Sequence, residues 1–228
     1  MAIKTNIETV TSRIEKACHR VGRNPNDITI IAVSKTVDAE RIKTAASAGI
    51  TNVGENWVQE AWTKHQQVGV DLRWHMIGHL QTNKVKRAVQ FFDVIQSVDS
   101  VRLAEKINKR AESLNKRIEI LVEVNTSGEE SKFGLWPEDV VSFIKKIADL
   151  KYLQIKGLMT IGTFLEDAEL VRPCFVTLRE LKERLQELSI HNVSMQHLSM
   201  GMTNDFETAI EEGSNMIRVG RAIFGERI

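Results

Sequence analysis

The chain has 228 residues, 42% hydrophobic and 27% charged, which suits one large α/β domain or two small ones with a real core. With 31 Lys and Arg against 30 Asp and Glu, the net charge is +1, so nothing in the charge favours nucleic acid or an anionic membrane as a partner. The first residues carry no apolar signal core and no run approaches the ~20 apolar residues of a membrane span, so a cytosolic protein is expected.

Ile7, Val10, Ile14, Ala17, Cys18 and Val21 recur at helical spacing and Gly22 follows them, which predicts a leading amphipathic helix. Residues 28–34 then form a short β-branched apolar run without Gly or Pro, a buried strand that ends at Lys35. Strand-like and helix-like segments alternate from there. Helix is expected at 39–48, 56–67, 83–89, 100–114, 137–150, 167–188 and 205–212, and Pro137 suits a first helical turn. Strands are expected at 51–54, 73–77, 92–97, 117–124, 153–160, 193–198 and 216–219. Eight strands, each separated from the next by a helix, predict a (β/α)8 barrel with an extra N-terminal helix, and no linker or repeat interrupts it. The rival, an open doubly wound sheet, lacks the Gly-x-Gly-x-x-Gly turn after its first strand. Cys18 and Cys174 match no metal or redox spacing and read as reduced thiols.

A barrel does its chemistry at the C-terminal ends of its strands. Those ends hold Lys35, Asn56, His79, Asn125, Met159 with Thr160, Ser199 with Gly201, and Arg218 with Gly220 and Arg221. Lys35 is costly to desolvate; it either reaches water or uses a neutral amine to condense with a carbonyl. The ends of strands 7 and 8 are where barrels commonly hold phosphate. Two readings stay open there: a phosphate cradle of glycine backbone, the Ser199 hydroxyl and the following helix, or plain tight turns. Arg218 shares a strand face with Gly220. A buried guanidinium needs an acceptor, either a cofactor ring nitrogen or an internal carboxylate such as Glu123. His75 and His79, four residues apart on or past one strand, sit too far apart to share a metal ion. Trp57 and Trp62 follow helical spacing and are expected to pack.

Several segments are long enough to carry a resemblance. They are Ala32-Val33-Ser34-Lys35-Thr36, Gly54-Glu55-Asn56-Trp57-Val58-Gln59-Glu60, Trp74-His75-Met76-Ile77-Gly78-His79-Leu80-Gln81-Thr82-Asn83-Lys84, Gly157-Leu158-Met159-Thr160, Leu198-Ser199-Met200-Gly201-Met202-Thr203-Asn204-Asp205 and Ile217-Arg218-Val219-Gly220-Arg221-Ala222-Ile223-Phe224-Gly225. In order and extent they resemble the pyridoxal phosphate homeostasis proteins, over nearly the whole chain. The resemblance implies a barrel like the N-terminal domain of alanine racemase, residues 1–228 forming one domain. It implies pyridoxal 5′-phosphate held as a Schiff base on Lys35. It also implies phosphate contacts at Ser199, Gly201, Gly220 and Arg221, Arg218 beside the ring nitrogen, and Asn56, His79 and Met159 lining the site. Arg221 departs from the small hydroxyl residue frequent there, which leaves the backbone N–H to carry that contact. Trp57 stands where Tyr is frequent.

The implied function is buffering or delivery of the cofactor, with other B6 vitamers and cofactor-requiring apo-enzymes as further partners; nothing in the sequence demands more than a monomer. Two enzymatic alternatives compete. A two-base racemase needs a tyrosine opposite its lysine, and the chain's one tyrosine, Tyr152, precedes strand 6. A Schiff-base aldolase would use a strand 6 lysine, and Lys156 sits near the start of that strand, away from its C-terminal end.

Overall fold

The structure, a computed structural model, describes residues 2–226. Eight strands pair in parallel and close in chain order: β1 (Thr29–Val33), β2 (Asn52–Glu55), β3 (Arg73–Met76), β4 (Val94–Val98), β5 (Ile118–Glu123), β6 (Leu153–Met159), β7 (Val193–Ser199) and β8 (Met216–Val219). β8 returns to β1 with Ile31 opposite Arg218 and Ala32 opposite Val219. A helix follows each strand: α2 (Ala39–Ser47), α3 (Val58–Val68), α4 (Val85–Phe91), α5 (Val101–Ser113), α6 (Val140–Ile147), α7 (Ala168–Glu187), α8 (Phe206–Glu211) and α9 (Arg221–Phe224). The expected (β/α)8 architecture is present, including the leading helix α1 (Ala2–Arg20).

The strands are largely buried on both faces because helices cover the outside and side chains fill the inside; every residue of β4 is buried. Between strands and helices lies one continuous core. The eighth helix, α9, is a single turn, and α1 packs beside α2, α8 and α9 in the space it leaves. The buried face of α1 is Ile7, Val10, Ile14, Ala17 and Cys18, the expected stripe short of Val21. Arg13 and Arg20 tie α1 to Glu207 and Glu211 of α8 at 2.7 Å.

Most boundaries shift by one to three residues from the sequence reading, and three of the differences have a clear local cause. Phe92, expected in the fourth strand, is the C-cap of α4, its N–H bonded to the Ala88 carbonyl. The Asp93 carboxylate accepts the Trp74 N–H at 2.8 Å, so this residue ties the barrel entry together instead of extending β4. Residues 137–139 make a 3-10 turn before α6 begins at Val140. The turn after β8 is itself helical.

Two groups fill the interior. One is apolar: Ile31, Val94, Leu121, Met159 and Met216. The other is a polar chain. His75 Nε2 meets Asn52 Oδ1 at 2.9 Å, and Gln96 Nε2 meets His75 Nδ1 at 3.0 Å. Ser199 Oγ donates to Gln96 Oε1 at 2.6 Å, and Arg218 Nη1 donates to Ser199 Oγ at 2.7 Å. One direction satisfies every member: the Gln96 amide donates to His75 Nδ1, which leaves the proton on Nε2 for Asn52. Burial lowers the His75 pKa to about 3, so the ring is neutral and the direction is fixed. Glycine is obligatory where β6 meets β7, since a Cβ on Gly157 would stand 2.0 Å from the His197 carbonyl oxygen.

Candidate functional site

A cavity of about 870 Å³ opens at the C-terminal end of the barrel. Lys35 and Val33 reach it from β1 and the turn beyond, Asn56 and Trp57 from the segment after β2, His79 from that after β3, Glu123 from β5, Thr203 from the β7–α8 turn, and Arg218, Gly220 and Arg221 from β8 and its exit. The inward parity of β1 places Val33 and Lys35 on one face, and the strand end delivers the amine to the rim.

Arg218 forms the inner wall. It is buried, and two of its N–H groups are committed: one to Ser199 Oγ, the other to the Thr160 carbonyl at 2.7 Å. Its backbone N–H bonds the Gly201 carbonyl. Burial lowers its pKa to about 10 against the pull of Asp205 and Glu123, so it stays charged at neutral pH. A guanidinium has five N–H donors, and this one faces a cavity with donors to spare.

Glu123 lies on the same wall, 5% exposed, and its Oε2 has no hydrogen-bond partner. Burial raises its pKa to about 8, with Asp99 adding and Arg218 opposing. It is therefore largely a neutral acid at pH 7. The internal ion pair between Arg218 and Glu123, one of the two readings from sequence, is not the arrangement found: Arg218 bonds a hydroxyl and a carbonyl.

His79 stacks on Phe133, ring centroids 3.9 Å apart, with Nδ1 3.7 Å from Asp99. His75, by contrast, belongs to the interior chain. Among the described residues no group of His, Cys, Asp and Glu is placed to hold a metal ion.

Three expected site residues lie elsewhere. Met159 is in the apolar interior cluster, beneath the cavity. Ser199 is fully buried, its hydroxyl committed to Gln96 and Arg218. Residue 199 is the last of β7 and shares its interior face, so the hydroxyl points into the barrel and not out of its mouth. Gly201 is buried as well. Its φ is +92° and a Cβ there would stand 2.6 Å from that of Ala209, so packing against α8 accounts for this glycine. The helix expected next begins one residue later, and its leading Asp205 carboxylate is engaged with the Met202 N–H at 2.5 Å. Lys156 is inside β6 and absent from the cavity wall.

The structure also brings in residues that sequence reasoning passed over. Thr203, two positions beyond Gly201 in the same motif, lines the cavity. Trp57, expected to pack, is 64% exposed at the cavity edge. It is the N-cap of α3 with extended backbone, so helical spacing does not govern it. Trp62 packs as expected, edge-on to Phe91.

The whole chain has counterparts among known proteins. The model of the alanine racemase N-terminal domain matches residues 2–228. A pyridoxal phosphate homeostasis protein of Aquifex aeolicus is 45% identical over 222 residues, 97% of this chain and 96% of that protein. The chain belongs to the pyridoxal phosphate homeostasis protein family. Among solved structures of similar chains, a Bifidobacterium adolescentis protein has a TM-score of 0.93 at 36% identity, covering 98% of this chain and 94% of that one. PipY of Synechococcus elongatus, solved with PLP bound, has a TM-score of 0.86 at 33% identity, covering 98% of this chain and all of PipY. The homeostasis-family resemblance seen in the motifs thus extends over the full fold.

The residues present suit pyridoxal phosphate. A lysine stands at the wall of a cavity large enough for a small aromatic phosphate. A charged guanidinium with unused donors sits in the inner wall, and an orphaned carboxyl oxygen offers a further partner.

Proposed function

We propose that this chain binds pyridoxal 5′-phosphate at the barrel mouth and serves its homeostasis as a carrier, with the Lys35 amine as the point of attachment and residues 1–228 acting as one binding domain. The observation that carries this reading is the pairing of Lys35 with Arg218 across one cavity. The bound group supplies an aldehyde that condenses reversibly with amines. Arg218 would donate to the ring nitrogen, and Thr203, Gly220 and Arg221 would hold the phosphate. Asn56 and His79 would line the ring, with Ser199 and Gly201 supporting the site through Arg218 rather than touching the ligand.

Two features support carriage over turnover. Arg218, as the partner of the ring nitrogen, would keep that nitrogen unprotonated and weaken the electron sink that carbanion chemistry needs. Tyr152, which would have to serve as a second base, immediately precedes β6, at the end of the barrel away from the cavity. Other B6 vitamers and cofactor-requiring apo-enzymes are the partners this role implies. No helix among the described residues is long and apolar enough to cross a membrane.

Titrating the protein with pyridoxal phosphate tests the reading: the absorbance of a cofactor–lysine adduct appears with the wild type and is lost in Lys35→Ala. An unchanged band in Lys35→Ala overturns the site. Turnover of D- or L-amino acids at about 1–10³ per second overturns the carrier role.

A further inference from the structure

The chain on either side of Lys35 is gripped from outside the barrel. The Ser34 carbonyl accepts from Lys64 Nζ at 2.6 Å, and the Thr36 N–H donates to Glu60 Oε1 at 2.6 Å. Lys64 in turn donates to Glu60 Oε1 at 2.6 Å and to Glu55 Oε1 at 2.9 Å. The Ser34 hydroxyl closes the figure on Glu55 Oε1 at 2.6 Å. Both neighbours of Lys35 are therefore tied to one ion triad, contributed by β2 and α3. Lys64 is 7% exposed and Glu55 fully buried, so that half of the triad is shielded from water, while the Glu60 side chain, 28% exposed, closes it from the outer side.

The grip has a visible consequence. Thr36 has a φ of +65°, a left-handed backbone that a β-branched residue adopts only when its surroundings impose it. The triad braces the turn after β1, which the Val37 N–H also closes on the Ser34 carbonyl at 2.9 Å, and that turn decides how the Lys35 side chain leaves the strand. Glu60 is well placed to keep its charge. Burial pushes its carboxyl up, but the Lys64 ammonium and the Thr36 N–H outweigh that and hold it below the ordinary range, with Lys35 adding to the pull.

We propose that Lys64 and Glu60 are positioning residues for Lys35: by holding the Ser34 carbonyl and the Thr36 N–H, they fix the direction from which the amine meets a carbonyl ligand. The inference rests on Lys35 being the attachment point. Neither residue lines the cavity. Lys64 reaches its partners from behind the barrel wall and is absent from the cavity lining. Reaction rates respond steeply to small displacements of the reacting atom, whereas the walls formed by Glu123, Thr203, Arg218 and Gly220 come from β5, the β7–α8 turn and β8 and are left in place.

The test separates capture from binding. Lys64→Met, Glu60→Ala and Glu60→Gln are compared with wild type in three measurements: the rate of adduct formation with pyridoxal phosphate, the affinity for pyridoxine 5′-phosphate, which has no aldehyde, and hydrogen exchange at the Thr36 amide in ligand-free protein. Lys64→Met and Glu60→Ala are expected to slow capture about ten- to a hundred-fold, with affinity for the aldehyde-free analogue unchanged and Thr36 exchange accelerated in Glu60→Ala. Glu60→Gln keeps an acceptor for Thr36 and is expected to rescue most of the rate. Capture at the wild-type rate in Glu60→Ala overturns the proposal, as does analogue affinity falling in step with capture. If Lys64→Met does not fold, the two Glu60 variants decide alone. A wild type that binds the analogue yet forms no adduct refutes Lys35 as the attachment point instead, a separate outcome.

Discussion

Glu123→Gln isolates the most unusual electrostatic feature of the cavity. Burial lifts the Glu123 carboxyl from 4.5 to about 8, Asp99 reinforcing the shift and Arg218 opposing it. Between those two values the folded protein keeps a proton that the unfolded chain has released. Stability therefore falls as pH rises from about 4.5 to about 8, and Glu123 contributes no further change above that. At 1.36 kcal/mol per pH unit, the separation is worth about 5 kcal/mol. Gln has nearly the same shape and does not ionise, so the variant escapes this loss. Urea unfolding of ligand-free protein near about pH 5 should show wild type and variant close together, and near about pH 9 the variant should be more stable by a few kcal/mol. Infrared spectra of the wild type at neutral pH should also show a protonated carboxyl band that the variant lacks. Stability curves that stay parallel across the whole range would refute the reasoning: Glu123 would then be ionised in the folded state, paired with Arg218 after all.

The interior chain and the rim give two further expectations. Gln96→Leu removes the partner of both His75 Nδ1 and Ser199 Oγ. It should cost about 2–4 kcal/mol by chemical unfolding and weaken cofactor binding by loosening Arg218; a neutral effect would show that the chain does not support the guanidinium. Arg221 is exposed at the cavity edge. Arg221→Ala should weaken cofactor affinity by about three- to ten-fold at low ionic strength, with the difference shrinking as salt is added; a salt-independent effect would argue against a direct charge contact.

The barrel was legible because its strands are short β-branched runs set between helical patterns, a rhythm that survives errors of two residues at each boundary. The place of Lys35 at the cavity wall was legible for the same reason, since it follows the run Ile30-Ile31-Ala32-Val33-Ser34 at a strand end, although a solvated lysine was the competing reading of that position. What periodicity does not resolve is how deep a strand-end residue lies. Ser199 and Met159 stand at the right ends of the right strands, yet each points into the closed interior, while the turn beyond Ser199 carries Thr203 outward to the mouth. Trp57 escaped because a capping residue sits outside the helix whose spacing it shares. The chain from Asn52 through His75, Gln96 and Ser199 to Arg218 was invisible because its members come from five strands, and parity alone does not reveal which of them meet. The Glu55–Glu60–Lys64 triad was equally hidden, since the spacing of Glu60 and Lys64 suits an ordinary exposed helical pair.

Borohydride reduction of the protein loaded with pyridoxal phosphate, followed by peptide mapping, tests the central claim most directly. The account predicts the phosphopyridoxyl group on Lys35, in a peptide that Lys35→Ala no longer yields. Label on Lys84, which also borders the cavity, or on no lysine of the barrel mouth, would contradict it.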